Sequence, residues 1–186
     1  GLVQGTIILR NLYSTGIISG GTNVSSMVGG VVGQLVFPSV LSDSWSSVTV
    51  DGLGKFDYAG GLVGYTDNGI SRSYSTGAVS GRNMVGGFVG MALAAFSFGV
   101  VATEDSYSIG AVNGSDQVGG FVGRIQYDNI QLPTIQTSYA TGAVTGSTNV
   151  GGFAGFATSN TLLNNVFWDT DTSGQSTGFN GSAGGA

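Results

Sequence analysis

The apolar and polar positions of this chain recur in a fixed order. Three stretches align without gaps: SYSTGAVSGRNMVGGFVG from Ser73 to Gly90, SYSIGAVNGSDQVGGFVG from Ser106 to Gly123, and SYATGAVTGSTNVGGFAG from Ser138 to Gly155. A looser copy runs from Leu12 to Gly33, and a degenerate one from Ser44 to Gly64. The aromatic position is held by Tyr13, Trp45, Tyr74, Tyr107 and Tyr139, at spacings of 32, 29, 33 and 32 residues. In each unit a β-prone run such as Tyr-Ser-Thr-Gly-Ala-Val meets a turn dipeptide (Ser80-Gly81, Asn113-Gly114 or Thr145-Gly146). A second run, Val-Gly-Gly-Phe-Val-Gly, follows. No stretch sustains a 3.6-residue period over a normal helix length.

A strand-turn unit of this size cannot bury its own apolar face, whereas stacked units share one core. The pattern predicts an all-β fold, a β-solenoid of about five to six coils wound as a right-handed β-helix, in a single domain over 1–186. Its repeats fall at about 11–34, 43–65, 72–91, 105–124 and 137–156, with a divergent coil over 163–186. At ~4.8 Å per layer such a rod section is roughly 25–30 Å long.

Equivalent positions then form ladders. One is Val28, Ala59, Val85, Val118, Val150; a second is Val31, Leu62, Phe88, Phe121, Phe153; a third is Val32, Val63, Val89, Val122, Ala154. Strict alternation puts the second on the face opposite the other two. Either a glycine bulge turns all three inward or the Phe strip faces outward. An exposed Phe strip would be sticky, which favours the inward arrangement. Gly33, Gly64, Gly90, Gly123 and Gly155 are expected to supply positive φ at corners. The second unit lacks the glycine found three residues after Tyr74, which suggests a bulge or longer loop there.

Composition narrows the chemistry. The chain has 35 glycines, 8% charged residues, one lysine (Lys55), and neither histidine nor cysteine. It therefore lacks the residues for Ser-His-Asp or Cys-His catalysis and for thiolate or imidazole metal sites. Ten acids against five bases give a net charge of −5, which disfavours nucleic acid as a partner. The lack of cysteine fits an extracellular protein. Met84–Thr103 is twenty residues without a charge, long enough for a membrane helix. Its first third is the repeated Val-Gly-Gly-Phe-Val-Gly, so no membrane insertion is expected.

The VGGFVG signature preceded by SYSTGAVSG resembles the GLUG motif, which recurs in large secreted and surface-anchored bacterial proteins, including adhesin-like ones. The closing NNVFWDTDTSGQSTG (Asn164–Gly178) resembles the segment that often follows the last such repeat. The resemblance spans about residues 11–178. It implies a β-solenoid on the cell exterior without enzymatic activity of its own, and it carries no catalytic residues over.

Several residues are candidates for more than packing. Asp169, Asp171 and Ser173, with Gly174, fit the first half of a calcium loop, but Asn180 stands where a bidentate Glu belongs. An Asx-turn is the alternative reading, and calcium is the one cofactor considered. Glu104 and Asp105, adjacent on a strand, point to opposite faces and make a poor glycosidase pair. A surface hydroxyl ladder starting at Ser14-Thr15 and Ser75-Thr76 breaks at Ser108-Ile109 and Ala140-Thr141. Trp168 is placed to cap the last coil.

The inserts Met91–Thr103 and Arg124–Thr137 should bulge from one side of adjacent coils. There Met91, Leu93, Phe96 and Phe98 would form a lateral patch that covers a satellite core or meets another subunit. Open solenoid ends template assembly. Gly1, Leu2, Val3, Ile7 and Ile8 at one end, and Phe179 and Ala186 at the other, are the candidate contacts. Two functional readings follow. One is a non-enzymatic extracellular structural or adhesive solenoid that stacks on other copies of itself end to end into a surface filament. The other is a carbohydrate-binding or spacer segment of a large surface adhesin, meeting host or matrix glycans through Trp45, Trp168 and exposed tyrosines.

Overall fold

The computed structural model describes residues 1–19, 26–52, 54–94, 102–127 and 133–181. One coil shows the plan: strands Ile70–Ser71, Tyr74–Ser75, Val79–Ser80, Asn83–Gly86 and Val89–Ala94 follow one another around the rod. Each pairs in parallel with its counterparts one coil before and one coil after. Among the described residues this builds four sheets, numbered here in the order the chain visits them. Sheet 1 is ten-stranded, and its two halves join where Thr134–Ala140 runs unbroken through the corner. Sheets 2 and 3 have five strands each, and sheet 4 has seven. Tyr13, Trp45, Tyr74, Tyr107, Tyr139 and Phe167 are Cα partners in succession, marking about five turns of a β-solenoid.

All three predicted ladders point inward. Phe88, Phe121 and Phe153 are fully buried, and their rings stack at 4.6 and 4.9 Å. Alternation fails because the chain bends between sheets 3 and 4 just after Gly86, so Val85 lies near the end of one strand and Val89 opens the next. Val85 and Val118 thus join Val50, Val79 and Val112 in a core strip between sheets 2 and 3. The Phe ladder joins Leu41, Ile70 and Ile135 of sheet 1 in a second strip. Between the strips the walls pinch together. Ser46, Ser75, Ser108 and Ala140 are buried there against Gly30, Gly61, Gly87 and Gly120. Ser75 Oγ donates to the Gly87 carbonyl at 2.6 Å. Serines in this position are therefore interior, and the hydroxyl ladder is not a surface one.

Positive φ at the glycine corners is not found. Among the described residues the glycines with positive φ are Gly5, Gly16, Gly54, Gly174 and Gly181. Gly64, Gly90 and Gly123 are small for another reason: sheet 4 presses on the sheet 3 strand of the preceding coil. A Cβ on Gly123 would stand 2.5 Å from the Val85 nitrogen and 2.6 Å from the Gly90 oxygen. Of the bulge or longer loop expected where the second unit lacks its glycine, the bulge is absent and the longer loop is present, six residues between Thr49–Asp51 and Tyr58–Gly60 against two between Val79–Ser80 and Asn83–Gly86. Val48 stands in the glycine's place, buried in the core, while Trp45–Ser46 and Thr49–Asp51 keep register with Tyr74–Ser75 and Val79–Ser80.

The inserts also depart from expectation. Val89–Ala94 and Val122–Tyr127 pair over six residues, so both inserts begin by lengthening sheet 4. Met91, in register between Tyr65 and Arg124, is 9% exposed and offers no surface patch. Leu93 is half-buried, and Phe96 and Phe98 lie outside the described residues.

The two ends differ. Trp168 takes the interior position in register with Ala140 and covers Gly152 and Gly178. Its Nε1 donates to the Gln175 carbonyl at 3.0 Å. Side chains from the same closing segment take up carbonyls of the last coil: Thr172 Oγ1 on Thr141 (2.6 Å), Gln175 Nε2 on Val144 (2.9 Å) and Asn180 Nδ2 on Val150 (2.7 Å). Phe179 is half-buried against the core rather than presented for assembly, and Ala186 lies outside the described residues. At the opposite end Leu2–Val3 and Ile8–Arg10 are edge strands of sheets 4 and 1. Leu2, Ile7 and Ile8 are exposed there, Gly1 accepts hydrogen bonds from Gly33 and Gln34, and Val3 turns onto the core.

Two substitutions test this packing by urea denaturation. Phe121→Ala, which empties the centre of the Phe stack, is expected to cost about 3–5 kcal/mol. Gly123→Ala puts a methyl against main chain that cannot move aside, and is expected to cost about 3 kcal/mol or more.

Candidate functional site

The most regular feature of the surface is a three-residue device repeated at one corner of sheet 1. Its first residue is left-handed although it is never glycine: Asn11, Asp43, Arg72, Asp105, Thr137 and Asn165 have φ of 44–53°. Asn and Asp tolerate this region best, and Arg and Thr adopt it at a cost met by the surroundings. The second residue supplies that support. Ser44, Ser73, Ser106 and Ser138 are buried, and each hydroxyl donates to the carbonyl two residues earlier at 2.7–2.8 Å. Each also accepts an N–H from the coil before, giving Leu12 to Ser44, Ser44 to Ser73, Ser73 to Ser106 and Ser106 to Ser138 at 3.1–3.4 Å. The result is a continuous buried serine spine. The third residue is the aromatic one, thrown outward by the corner.

Those outward rings stack on one another. Tyr13 meets Trp45 at 5.4 Å, Trp45 meets Tyr74 at 5.9 Å, Tyr74 meets Tyr107 at 4.8 Å, and Tyr107 meets Tyr139 at 5.0 Å. Interplanar angles are between 1° and 16°. Phe167, 64% exposed, continues the row in register. Both faces of Trp45 are covered by its neighbours, so the ladder presents ring edges and phenol oxygens rather than open faces. Trp168, the other indole, is spent on the cap. Beside the ladder the outer face of sheet 2 forms a shallow groove of about 430 Å³, floored by Ala78, Ala111 and Ala143 with Thr49 and Thr145. Asp51 is the one charged residue lining it among the described residues, and it accepts a hydrogen bond from Ser80 Oγ at 3.1 Å.

An ion pair stands at the corner behind the rings. Arg72 donates to Asp43 through Nε at 2.7 Å and through a terminal nitrogen at 2.9 Å. This hydrogen-bonded pair, reinforced by Ser42, holds the Asp43 carboxyl down at about 2 against an ordinary 3.8. The Tyr107 phenol is pushed up, first by burial and then by Tyr74 and Tyr139 on either side. Burial opposes ionisation of Asp116, on the other side of the rod, but hydrogen bonds from Thr148, Asn149 and Gln117 outweigh it and lower its pKa.

The calcium-loop residues are arranged otherwise than a loop requires. Asp169 caps the one-turn helix Thr170–Ser173, accepting the backbone N–H groups of Asp171 and Thr172 at 2.9 and 3.3 Å. Those bonds lower its pKa. Asp171 lies on the helix, Ser173 is buried, and Ser173 Oγ accepts from the Gln175 N–H. Among the described residues no group of three or more acidic side chains is placed to hold a metal ion. No described helix is long and apolar enough to cross a membrane. Comparison with protein-family models, with curated proteins and with solved structures finds no match to this chain.

The spine and the ion pair each yield a test. Ser73→Ala leaves the Ser44 N–H without its buried acceptor and is expected to cost about 1–3 kcal/mol in chemical denaturation. Because the Asp43 carboxyl titrates below its ordinary value when folded, its stabilising pairing is present above pH 3.8 and is lost as pH falls through about 2. Carbon-detected NMR titration should place its midpoint near 2, and Arg72→Gln should return it towards 3.8.

Proposed function

We propose that the chain is a non-enzymatic structural and adhesive module on the cell exterior, a rod that holds one apolar face at a fixed orientation. The observation that carries this reading is the outward aromatic ladder, in register over successive coils and continuous with the uncharged alanine floor of the sheet 2 groove. Contact through such a face draws on ring edges, phenol hydroxyls and methyl groups. It suits a broad uncharged surface, such as a host or matrix glycan sheet, better than a single sugar stacked on a ring face. Inter-coil hydrogen bonds run along the rod, so the same chain serves as a spacer in a larger adhesin.

Self-association is favoured by a separate observation. Leu2, Ile8, Tyr13 and Ile17 are 59–73% exposed along the open edge. At the opposite end Leu162–Trp168 and Phe179–Gly181 are the last described strands of sheets 1 and 4, so copies would meet end to end, these strands against the first coil. Light scattering over a dilution series tests this, and Ile8→Glu with Ile17→Glu should abolish any oligomer.

The adhesive reading is tested by retention on glycan-coated and protein-coated surfaces. A Tyr74→Ser, Tyr107→Ser double variant, checked for fold by circular dichroism, is expected to lose roughly tenfold in affinity, about 1.4 kcal/mol. Retention equal to that of the parent protein would overturn the reading.

A further inference from the structure

We propose that the aromatic ladder is also a site of oxidative modification, at which Tyr107 couples to Tyr74 or Tyr139 of a neighbouring coil as dityrosine. The proposal rests on the ladder's geometry alone and does not depend on adhesion. Tyr74 and Tyr107 lie 4.8 Å apart with planes 1° from parallel, and Tyr107 and Tyr139 lie 5.0 Å apart at 5°. Their Cα atoms are partners in one parallel sheet, so ring lies over ring and the carbons ortho to the two hydroxyls are brought together. All three side chains reach solvent, so an oxidant can approach and the rings can turn as a bond forms.

The co-reactants are a one-electron oxidant of the peroxidase class and hydrogen peroxide. The oxidant removes an electron from a phenol, whose O–H proton passes to water and leaves a tyrosyl radical. A tyrosine phenol is protonated at neutral pH, and burial and its two neighbours push that of Tyr107 further up, so its radical forms by loss of both a proton and an electron. Two such radicals on adjacent rings join through a carbon-carbon bond between ortho carbons. Each of those carbons then gives up its hydrogen as a proton while a phenol O–H is restored. In sum the pair loses two electrons and two protons, and one hydrogen peroxide becomes two waters.

Position within the ladder makes the coupling selective. Tyr107 has a tyrosine on both sides, whereas Tyr13 has Trp45 as its neighbour. Tyr58 and Tyr65 meet edge to face, at 6.5 Å and 86°. Without Tyr107, Tyr74 and Tyr139 are two layers apart, about 9.6 Å, and out of reach of each other.

The test treats dilute protein with peroxidase and hydrogen peroxide, then reads dityrosine fluorescence and the masses of cross-linked peptides after digestion. The expected product is monomeric and two hydrogens lighter, with the Tyr107 peptide joined to that of Tyr74 or Tyr139. Its yield should not change with protein concentration, and its thermal midpoint should rise. Tyr107→Phe should abolish it, and Tyr58→Phe should leave it unchanged, with circular dichroism confirming that both variants fold. Equal yield from Tyr107→Phe, links spread over Tyr58, Tyr65 and Tyr127, or exclusively intermolecular links would overturn the proposal. Loss of adhesion in the double variant leaves this result untouched, and the converse also holds.

Discussion

Parallel in-register stacking requires every position to tolerate its own equivalents at strand spacing, above and below. That requirement explains most of what is unusual in the composition. Apolar and aromatic residues meet it readily, since valine packs on valine and ring on ring, as in the Phe88, Phe121, Phe153 stack. Serine and threonine meet it by passing hydrogen bonds from layer to layer. Like charges do not meet it, because they repel directly across a ladder. Only 8% of the chain is charged, and at the left-handed corner the sign changes from Asp43 to Arg72 to Asp105.

Two interior lines turn that requirement into a shape. Along one, glycines of the bend between sheets 3 and 4 meet small residues of sheet 1, drawing the walls together and splitting the core into two strips. Along the other, the serine spine binds each corner to the next coil and absorbs the cost of its left-handed residue. The aromatic ladder depends on both. The pinch fixes where sheet 1 runs, and the spine fixes the direction in which the chain turns outward. Ring stacking is the visible end of this arrangement.

Much of the rod was legible because repetition exposes it. The period, the three apolar ladders and the capping role of Trp168 follow from aligned residues. What could not be read was the part written in variable or common residues. The left-handed corner is Asn, Asp, Arg or Thr in different coils, so no single residue type marks it. The spine uses serine in a serine-rich chain, although a serine directly before Trp45, Tyr74, Tyr107 and Tyr139 was the available signal. Gly90 and Gly123 looked like turn glycines, whereas their size answers a close approach between coils that only the folded rod creates. Met91 looked like part of a lateral patch on a bulging insert, because nothing in its sequence shows that the insert begins by pairing with the coils on either side, which buries it.

The two tryptophans divide the molecule between them. Trp45 is sandwiched in the ladder between Tyr13 and Tyr74, and Trp168 sits under the closing segment. Extension along the rod would pull the rings apart and change the surroundings of Trp45, and fraying of the last coil would change those of Trp168. The protein thus carries an intrinsic strain gauge in its body and an independent one at its end.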